Sequence, residues 1–242
     1  MANFYLVEAL AGATVGGLVT VTGAEAKHIA TVARTRVGER MLVGNGRGLV
    51  MGGVAESVSP GAVDVRVDDV RVTDAASPRI LLAQALAKGD RDELAIQAAT
   101  ELGADGVIPW QADRSVSRWS GPKLEKGRER WAAIVREASK QSMRPWLPEV
   151  SALASTNDLV ELAASRRVLV LEPTAPHPIT AVAPDGRDLL LVVGPEGGIA
   201  PAELGALEAA GAELVRLGDA VLRTSTAGPA AIAVLNAALG RW

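Results

Sequence analysis

The chain is 242 residues long, 48% hydrophobic and 22% charged, a mix that gives one large or two modest globular domains and excludes collagen-like, disordered and small disulfide-stapled classes. It has no cysteine and only two histidines, His28 and His177, so disulfides, thiolate metal sites, cysteine nucleophiles and histidine-rich zinc centres are excluded and no metal is expected. A net charge of −3 argues against nucleic-acid binding by the surface as a whole. The opening MANFYLVEALAG lacks a signal-peptide layout and no apolar run nears membrane-spanning length, so a cytoplasmic protein without a membrane partner is expected.

In chain order, residues 1–73 read as mostly β. Apolar or alternating runs at 17–21, 40–43, 49–58 and 62–72 are split by the turns GNGRG (44–48) and SPG (59–61), which predicts a small barrel-like domain. One helix is predicted within it, over 24–34. The segment DAASP (74–78) is small, polar and closed by proline, and marks the boundary to a second domain over 74–242. There strand and helix alternate: a strand at 79–87, an amphipathic helix at 90–103 stopped by Gly103, a strand at 106–110 and a helix from about 123 to 143. RVLVLEP (167–173) and DLLLVVGPEGG (188–198) are near-continuous apolar runs of the kind a parallel sheet buries on both faces. A helix at 201–211, opened by proline and stopped by Gly211, a strand at 213–218 and a closing helix at 224–240 complete an α/β domain with a mostly parallel sheet.

Ligands of open parallel sheets bind beyond the carboxyl ends of the strands. Three such ends are present: LEP (171–173), GPEGG (194–198) and LGDAVLRTSTA (217–227). Gly194, Gly197 and Gly198 allow close backbone approach to a ligand and Pro195 stiffens the loop, although a glycine loop alone serves equally as a tight strand-to-helix turn. Thr224, Ser225 and Thr226 stand where a helix N-cap is wanted. Arg223, just before a helix, is awkwardly placed for a purely structural cation, because the helix dipole disfavours it.

A local exception to the acidic balance lies between Arg114 and Arg144, where nine basic residues face three acidic ones and four of the five tryptophans lie in or beside the run (Trp110, Trp119, Trp131, Trp146). Cations interleaved with flat aromatics suit RNA phosphates and unstacked bases, and Arg114, Arg128, Lys140 and Arg144 are the candidate contacts. The same run also reads as a solvated helix face with its tryptophans in the core.

Taken together, the motifs ALAKGDRDELAIQAATELGADGVIPWQADRSV (85–116), RWAAIVREASKQSMRPWLPEV (130–150), VVGPEGGIAPAEL (192–204) and LGDAVLRTSTA (217–227) closely resemble the RsmE family of SPOUT-class methyltransferases over essentially the whole chain. The resemblance implies a PUA-like RNA-binding barrel at the amino terminus, with His28 and Arg34 on its RNA surface. It also implies a SPOUT domain with a carboxy-terminal deep trefoil knot, a homodimer, and S-adenosylmethionine-dependent methylation of N3 of a uridine in 16S ribosomal RNA, free or in the assembled small subunit. Cofactor contacts would come from Leu171, Glu172, Pro173, Gly194, Pro195, Glu196, Gly197, Gly198, Leu217, Gly218, Leu222, Arg223, Thr224 and Ser225. Arg223 would stabilise charge on the uracil. Where many members carry a glutamate this chain has Ser225, which leaves Glu172 or water as the base. A related knotted enzyme acting on the ribose 2′-hydroxyl and a non-catalytic ribosome-assembly protein are the competing expectations.

Overall fold

Alternating and apolar runs in the first part of the chain pair into one sheet. The computed structural model describes residues 3–242, which separate into two units: residues up to Ala75 together with Ser139–Leu147, and Ala76–Ala138 together with Pro148–Trp242. The division falls close to the DAASP segment, but the return of 139–147 to the first unit was not expected from the sequence.

In the first unit, strands β1 (Asn3–Leu6), β2 (Leu18–Thr22), β3 (Arg40–Gly44), β4 (Leu49–Val58) and β5 (Ala62–Val72) form a sheet of order β1-β3-β4-β5-β2. The pairs β3–β4, β4–β5 and β5–β2 are antiparallel, whereas β1 lies parallel to β3. The β1 strand was not foreseen. The predicted helix over 24–34 is shorter and divided: α1 (Gly23–Lys27) passes into a π-helical turn, His28–Val32. The GNGRG turn is held by the Asn45 side chain, whose Oδ1 accepts from the N–H groups of Arg47 (2.7 Å) and Leu49 (3.1 Å), a local substitute for backbone pairing. Gly48 takes φ +94° there, a left-handed conformation that only glycine adopts without strain. One face of the sheet buries Tyr5, Val21, Ile29, Met41, Val43, Met51 and Val65 as its core.

In the second unit the strand-and-helix alternation produces β6 (Ile80–Ala85), α2 (Arg91–Glu101), β7 (Gly106–Trp110), α3 (Pro122–Gln141, whose last residues count with the first unit), β8 (Glu149–Val150), α4 (Thr156–Leu162), β9 (Arg167–Leu171), β10 (His177–Pro178), β11 (Leu189–Val193), α5 (Pro201–Ala209), β12 (Glu213–Arg216) and α6 (Thr224–Ala238). The sheet order is β10-β12-β9-β11-β6-β7-β8, and every pairing is parallel. The continuous apolar runs are accounted for, since every residue of β6, β7 and β11 is buried, as expected for strands covered on both faces. Two short strands, β8 and β10, and helix α4 escaped sequence reading. The α4 start carries a Ser155–Asp158 capping box in place of a strong apolar period. Within the run 188–198 the strand ends at Val193, and the glycine-rich GPEGG segment leaves the sheet as a loop.

Candidate functional site

Parallel register brings the carboxyl ends of β12, β9, β11 and β6 side by side, so the loops that follow them converge. Glu172–Pro173 follow β9, residues 194–198 follow β11, and 217–223 run from β12 into α6. These loops enclose a cavity of about 400 Å³, within the size range of small-molecule sites. Of the fourteen residues expected to contact a cofactor, twelve line it: Leu171, Glu172, Pro173, Gly194, Pro195, Glu196, Gly198, Leu217, Gly218, Leu222, Arg223 and Thr224. Gly197 and Ser225 do not. The Gly197 carbonyl instead accepts from Arg114 Nη1 (3.0 Å), and Ser225 lies in the first turn of α6 with no side-chain hydrogen bond among the described residues. The sequence reading missed Arg91, Val193, Ile199, Ala220, Val221 and Ala227, which also line the cavity.

The loop after β11 is shaped by close packing. A Cβ on Gly194 would stand 2.6 Å from Ile199 Cγ1, and Gly198 has φ +71°. Glu196 ties this loop to the turn before α2: its Oε1 accepts from Lys88 N–H (3.0 Å) and from Arg91 Nη1 (2.8 Å). Burial works to raise the Glu196 carboxyl, but its own backbone N–H, the Arg91 guanidinium and the Lys88 N–H prevail and hold it below the ordinary glutamate value. Glu172 is held differently. Its Oε1 accepts from the N–H (3.2 Å) and hydroxyl (2.9 Å) of Thr174, and its other oxygen has no hydrogen bond among the described residues.

Arg223 is exposed at the N-cap of α6 and has no ion pair among the described residues. Nothing neutralises it in the position where the helix dipole opposes a cation. Arg91 shares that position at the first residue of α2, and this placement is the signal by which sequence reading could have found it.

The residues expected to meet RNA separate into different environments. In the first unit His28 is half-buried, edge-on to Tyr5 with ring centroids 6.1 Å apart, and Arg34 is exposed with φ +53°. Lys140 does not stand on the surface: its ammonium is 3.4 Å from Glu25 Oε1, and the two side chains are 10% and 14% exposed. This corrects its expected role as a phosphate contact, because a cation enclosed with a carboxylate is already compensated. Arg144 is half-buried, and its N–H donates to Ser139 O (2.9 Å). In the second unit Arg128 is exposed but bound to Glu125 (2.6 Å), and Arg114 clamps the glycine loop. The tryptophans are structural: Trp110 and Trp131 are fully buried, Trp119 packs edge-on to Trp131 at 5.3 Å, and Trp146 Nε1 donates to Thr73 O (2.8 Å). Burial removes Trp110 and Trp131 from base stacking, whereas Trp119 and Trp146 are half-buried. The exposed cations of the α3 amino-terminal half without an ion pair among the described residues are Lys123 and Lys126.

No group of three or more metal-ligating side chains that could hold an ion occurs among the described residues, and none of their helices is long and apolar enough to cross a membrane. An all-parallel sheet with a cavity across adjacent strand ends defines an α/β protein with its candidate site where open parallel sheets bind their ligands. Comparisons with known proteins narrow the class. A family model described as an RNA methyltransferase domain matches residues 75–236. The chain is 44% identical to ribosomal RNA small subunit methyltransferase E of Mycobacterium bovis over 94% of this chain and 89% of that protein. It is 34% identical to the protein of the same name from Bacillus subtilis, over 86% of this chain and 85% of that one. A solved structure from Legionella pneumophila, described as a methyltransferase in complex with the cofactor SAM, superposes with a TM-score of 0.84 at 29% identity, covering 98% of both chains. The chain therefore belongs to the ribosomal RNA small subunit methyltransferase E family, the RsmE family.

Proposed function

We propose that this chain transfers a methyl group from S-adenosylmethionine to N3 of a uridine in the 16S ribosomal RNA of the small ribosomal subunit. The broader activity, S-adenosylmethionine-dependent methylation of ribosomal RNA, follows from membership of the family and from the relative solved with that cofactor. The observation that carries the reading is the cavity itself, built at adjacent strand ends with the unneutralised Arg223 on its wall.

The residues present fit the cofactor. Leu171, Val193, Ile199, Leu217 and Ala227 give apolar walls for an adenosine, and the glycine-containing loops present backbone donors and acceptors. Gly218 lines the cavity, and no atom beyond its chain neighbours stands within 4 Å of where a Cβ would be, so the loop backbone there borders open space. Glu172 and Glu196 supply negative charge beside a sulfonium. When bound, S-adenosylmethionine supplies an electrophilic methyl group. The protein's work is on the acceptor. The N3 proton of uracil must leave, and the Arg223 guanidinium, carried on the backbone at the α6 start, stabilises the charge that develops on the uracil oxygens. Glu172, oriented by Thr174 with one oxygen uncommitted, is the carboxylate able to take the proton, since Ser225 cannot.

RNA selection is assigned to the first unit, read as a PUA-like barrel with His28 and Arg34 on its binding surface, and to the exposed α3 cations. The second unit is read as a SPOUT domain with a deep carboxy-terminal trefoil knot, working in the cytoplasm as a homodimer; sedimentation of a fully active monomer at micromolar concentration would refute the pairing. Mass mapping of uridines in 16S ribosomal RNA tests the activity. Deletion should remove one methyl from one uridine base, and the wild-type chain, but not Arg223→Ala, should restore it. An unchanged methylation map, or a lost ribose methyl, would overturn the assignment.

A further inference from the structure

β6 contributes one polar side chain to an otherwise apolar strand. Gln84 lies between Val193 of β11 and Pro109 of β7 in the parallel register and is completely buried. Its Nε2 donates to Thr224 Oγ1 (2.8 Å) and to Ala85 O (3.2 Å), and the Thr224 hydroxyl in turn donates to Gly194 O (2.8 Å). The orientation of the amide follows from this chain. The Gly194 carbonyl needs a donor, the Thr224 hydroxyl has one proton to give it, and so the hydroxyl oxygen must accept from the Gln84 NH2. Gln84 Oε1 is buried and has no hydrogen-bond partner among the described residues. A leucine or methionine would avoid that cost and suit the neighbouring side chains, so the amide is useful here for its NH2 group alone.

The three residues occupy different levels of the site. Gly194 opens the loop after β11 and lines the cavity, Thr224 is the first residue of α6 and also lines it, and Gln84 stands behind both. We propose that Gln84 is a positioning residue of the cofactor cavity, holding the Gly194 loop and the first turn of α6 at a fixed separation through the Thr224 hydroxyl. The proposal rests on the reading of this cavity as the S-adenosylmethionine site. Arg223 directly precedes Thr224, so the same relay sets the backbone from which the guanidinium projects. The Thr224 hydroxyl cannot donate to another group without releasing the Gly194 carbonyl, which ties the loop to the first turn of α6.

Calorimetric titration with S-adenosylhomocysteine tests the relay without turnover. Gln84→Met and Thr224→Val should each raise Kd by about three- to tenfold, the worth of one buried hydrogen bond. Their double variant should be no weaker than the worse single one, because both break the same chain. Thr224→Ser, which keeps the hydroxyl, should bind nearly as the wild type does. In steady-state methylation, Gln84→Met should raise KM for the cofactor by more than it lowers kcat, a split that general loss of folded protein would not produce. A folded Gln84→Met protein with unchanged Kd, or losses that multiply in the double variant, overturns the proposal. Should Gln84→Met fail to fold, Thr224→Val against Thr224→Ser decides alone, with equal affinities refuting the relay. A wild-type protein that binds no S-adenosylhomocysteine overturns the reading of the cavity and the relay's role with it.

Discussion

Replacing Arg223 by alanine separates what the residue costs the fold from what it contributes to the reaction. The side chain is exposed, makes no cap hydrogen bond and has no ion pair among the described residues, yet it stands at the positive end of the 15-residue helix α6. A cation there is unfavourable by about 0.3–1 kcal/mol at an exposed position. Removing it should stabilise the protein by that amount, and for a chain of this size 1 kcal/mol corresponds to roughly 2–4 °C in Tm, so differential scanning should show a rise of about 1–3 °C. Catalysis should move the other way. A preorganised donor that meets charge only in the transition state is worth about 10²–10³ in kcat, and such a loss leaves ground-state cofactor binding nearly unchanged. Methylation of ribosomal RNA at saturating S-adenosylmethionine, alongside S-adenosylhomocysteine calorimetry, measures both. Arg223→Lys should recover only part of the rate, because an ammonium lacks the planar fork. A variant that loses cofactor affinity while keeping turnover at saturation, or whose Tm falls by several degrees, would refute the assignment of Arg223 to the reacting base.

Four further outcomes are expected. Lys123→Glu with Lys126→Glu should reduce the log–log salt slope of RNA binding by about two units, one for each lost phosphate contact, and an unchanged slope would return the α3 cations to a merely solvated face. Lys140→Met should leave that slope alone but lower the unfolding free energy by about 3 kcal/mol, as expected for breaking an enclosed ion pair, measurable by urea denaturation. The depressed Glu196 carboxyl contributes stability that is present above the unfolded glutamate value of 4.5 and is lost as pH falls through the lower folded value. Glu196→Gln should therefore flatten the acid limb of Tm against pH while, because the Arg91 pair is partly exposed, costing no more than about 1 kcal/mol at neutrality. Gly194→Ala, whose Cβ would meet Ile199 Cγ1 at 2.6 Å, should destabilise by about 1–3 kcal/mol through overpacking and weaken S-adenosylhomocysteine binding in the same titration.

The parts legible in the sequence are those where a local pattern has one physical solution. Continuous apolar runs such as 189–193 must be buried on both faces, which requires a parallel sheet, and glycine-rich segments at their ends must leave it as loops. The cavity lining followed because those ends are neighbours in the sheet. Charge and aromatic content have no such unique solution. Between Arg114 and Arg144 the cations divide among a loop clamp, an intrahelical pair, an enclosed pair with Glu25 and a solvated face, and Trp110 and Trp131 turn inward. The Arg128–Glu125 pair is local, but the loop clamp and the enclosed pair each depend on a partner far along the chain, which no local pattern reveals. Arg91 has a local trace, its place at the start of α2, but its carboxylate partner Glu196 is brought near only by the pairing of β6 with β11. Gln84 did leave a trace, as the lone polar residue in ILLAQALA (80–87), a position that a purely structural strand would fill with an apolar side chain.

The two carboxylates of the cavity illustrate how environment divides roles between like groups. Glu196 receives a guanidinium and a backbone N–H on one oxygen and is held ionised below its ordinary range, so it is a weak base and a strong tether. Glu172 is oriented by Thr174 alone, which leaves it free of any cation among its hydrogen-bond partners. Replacement of the family's frequent glutamate by Ser225 removes a third carboxylate at the start of α6. That position is the positive end of a helix and adjoins Arg223, where an acid would be stabilised in its charged form and would also neutralise the neighbouring guanidinium. With serine there, no carboxylate adjoins Arg223 at the start of α6 to compete for its charge in the proposed reaction. In the proposed reaction the burden therefore falls on stabilising the anion that N3 leaves behind, and proton removal is left to Glu172 or to solvent.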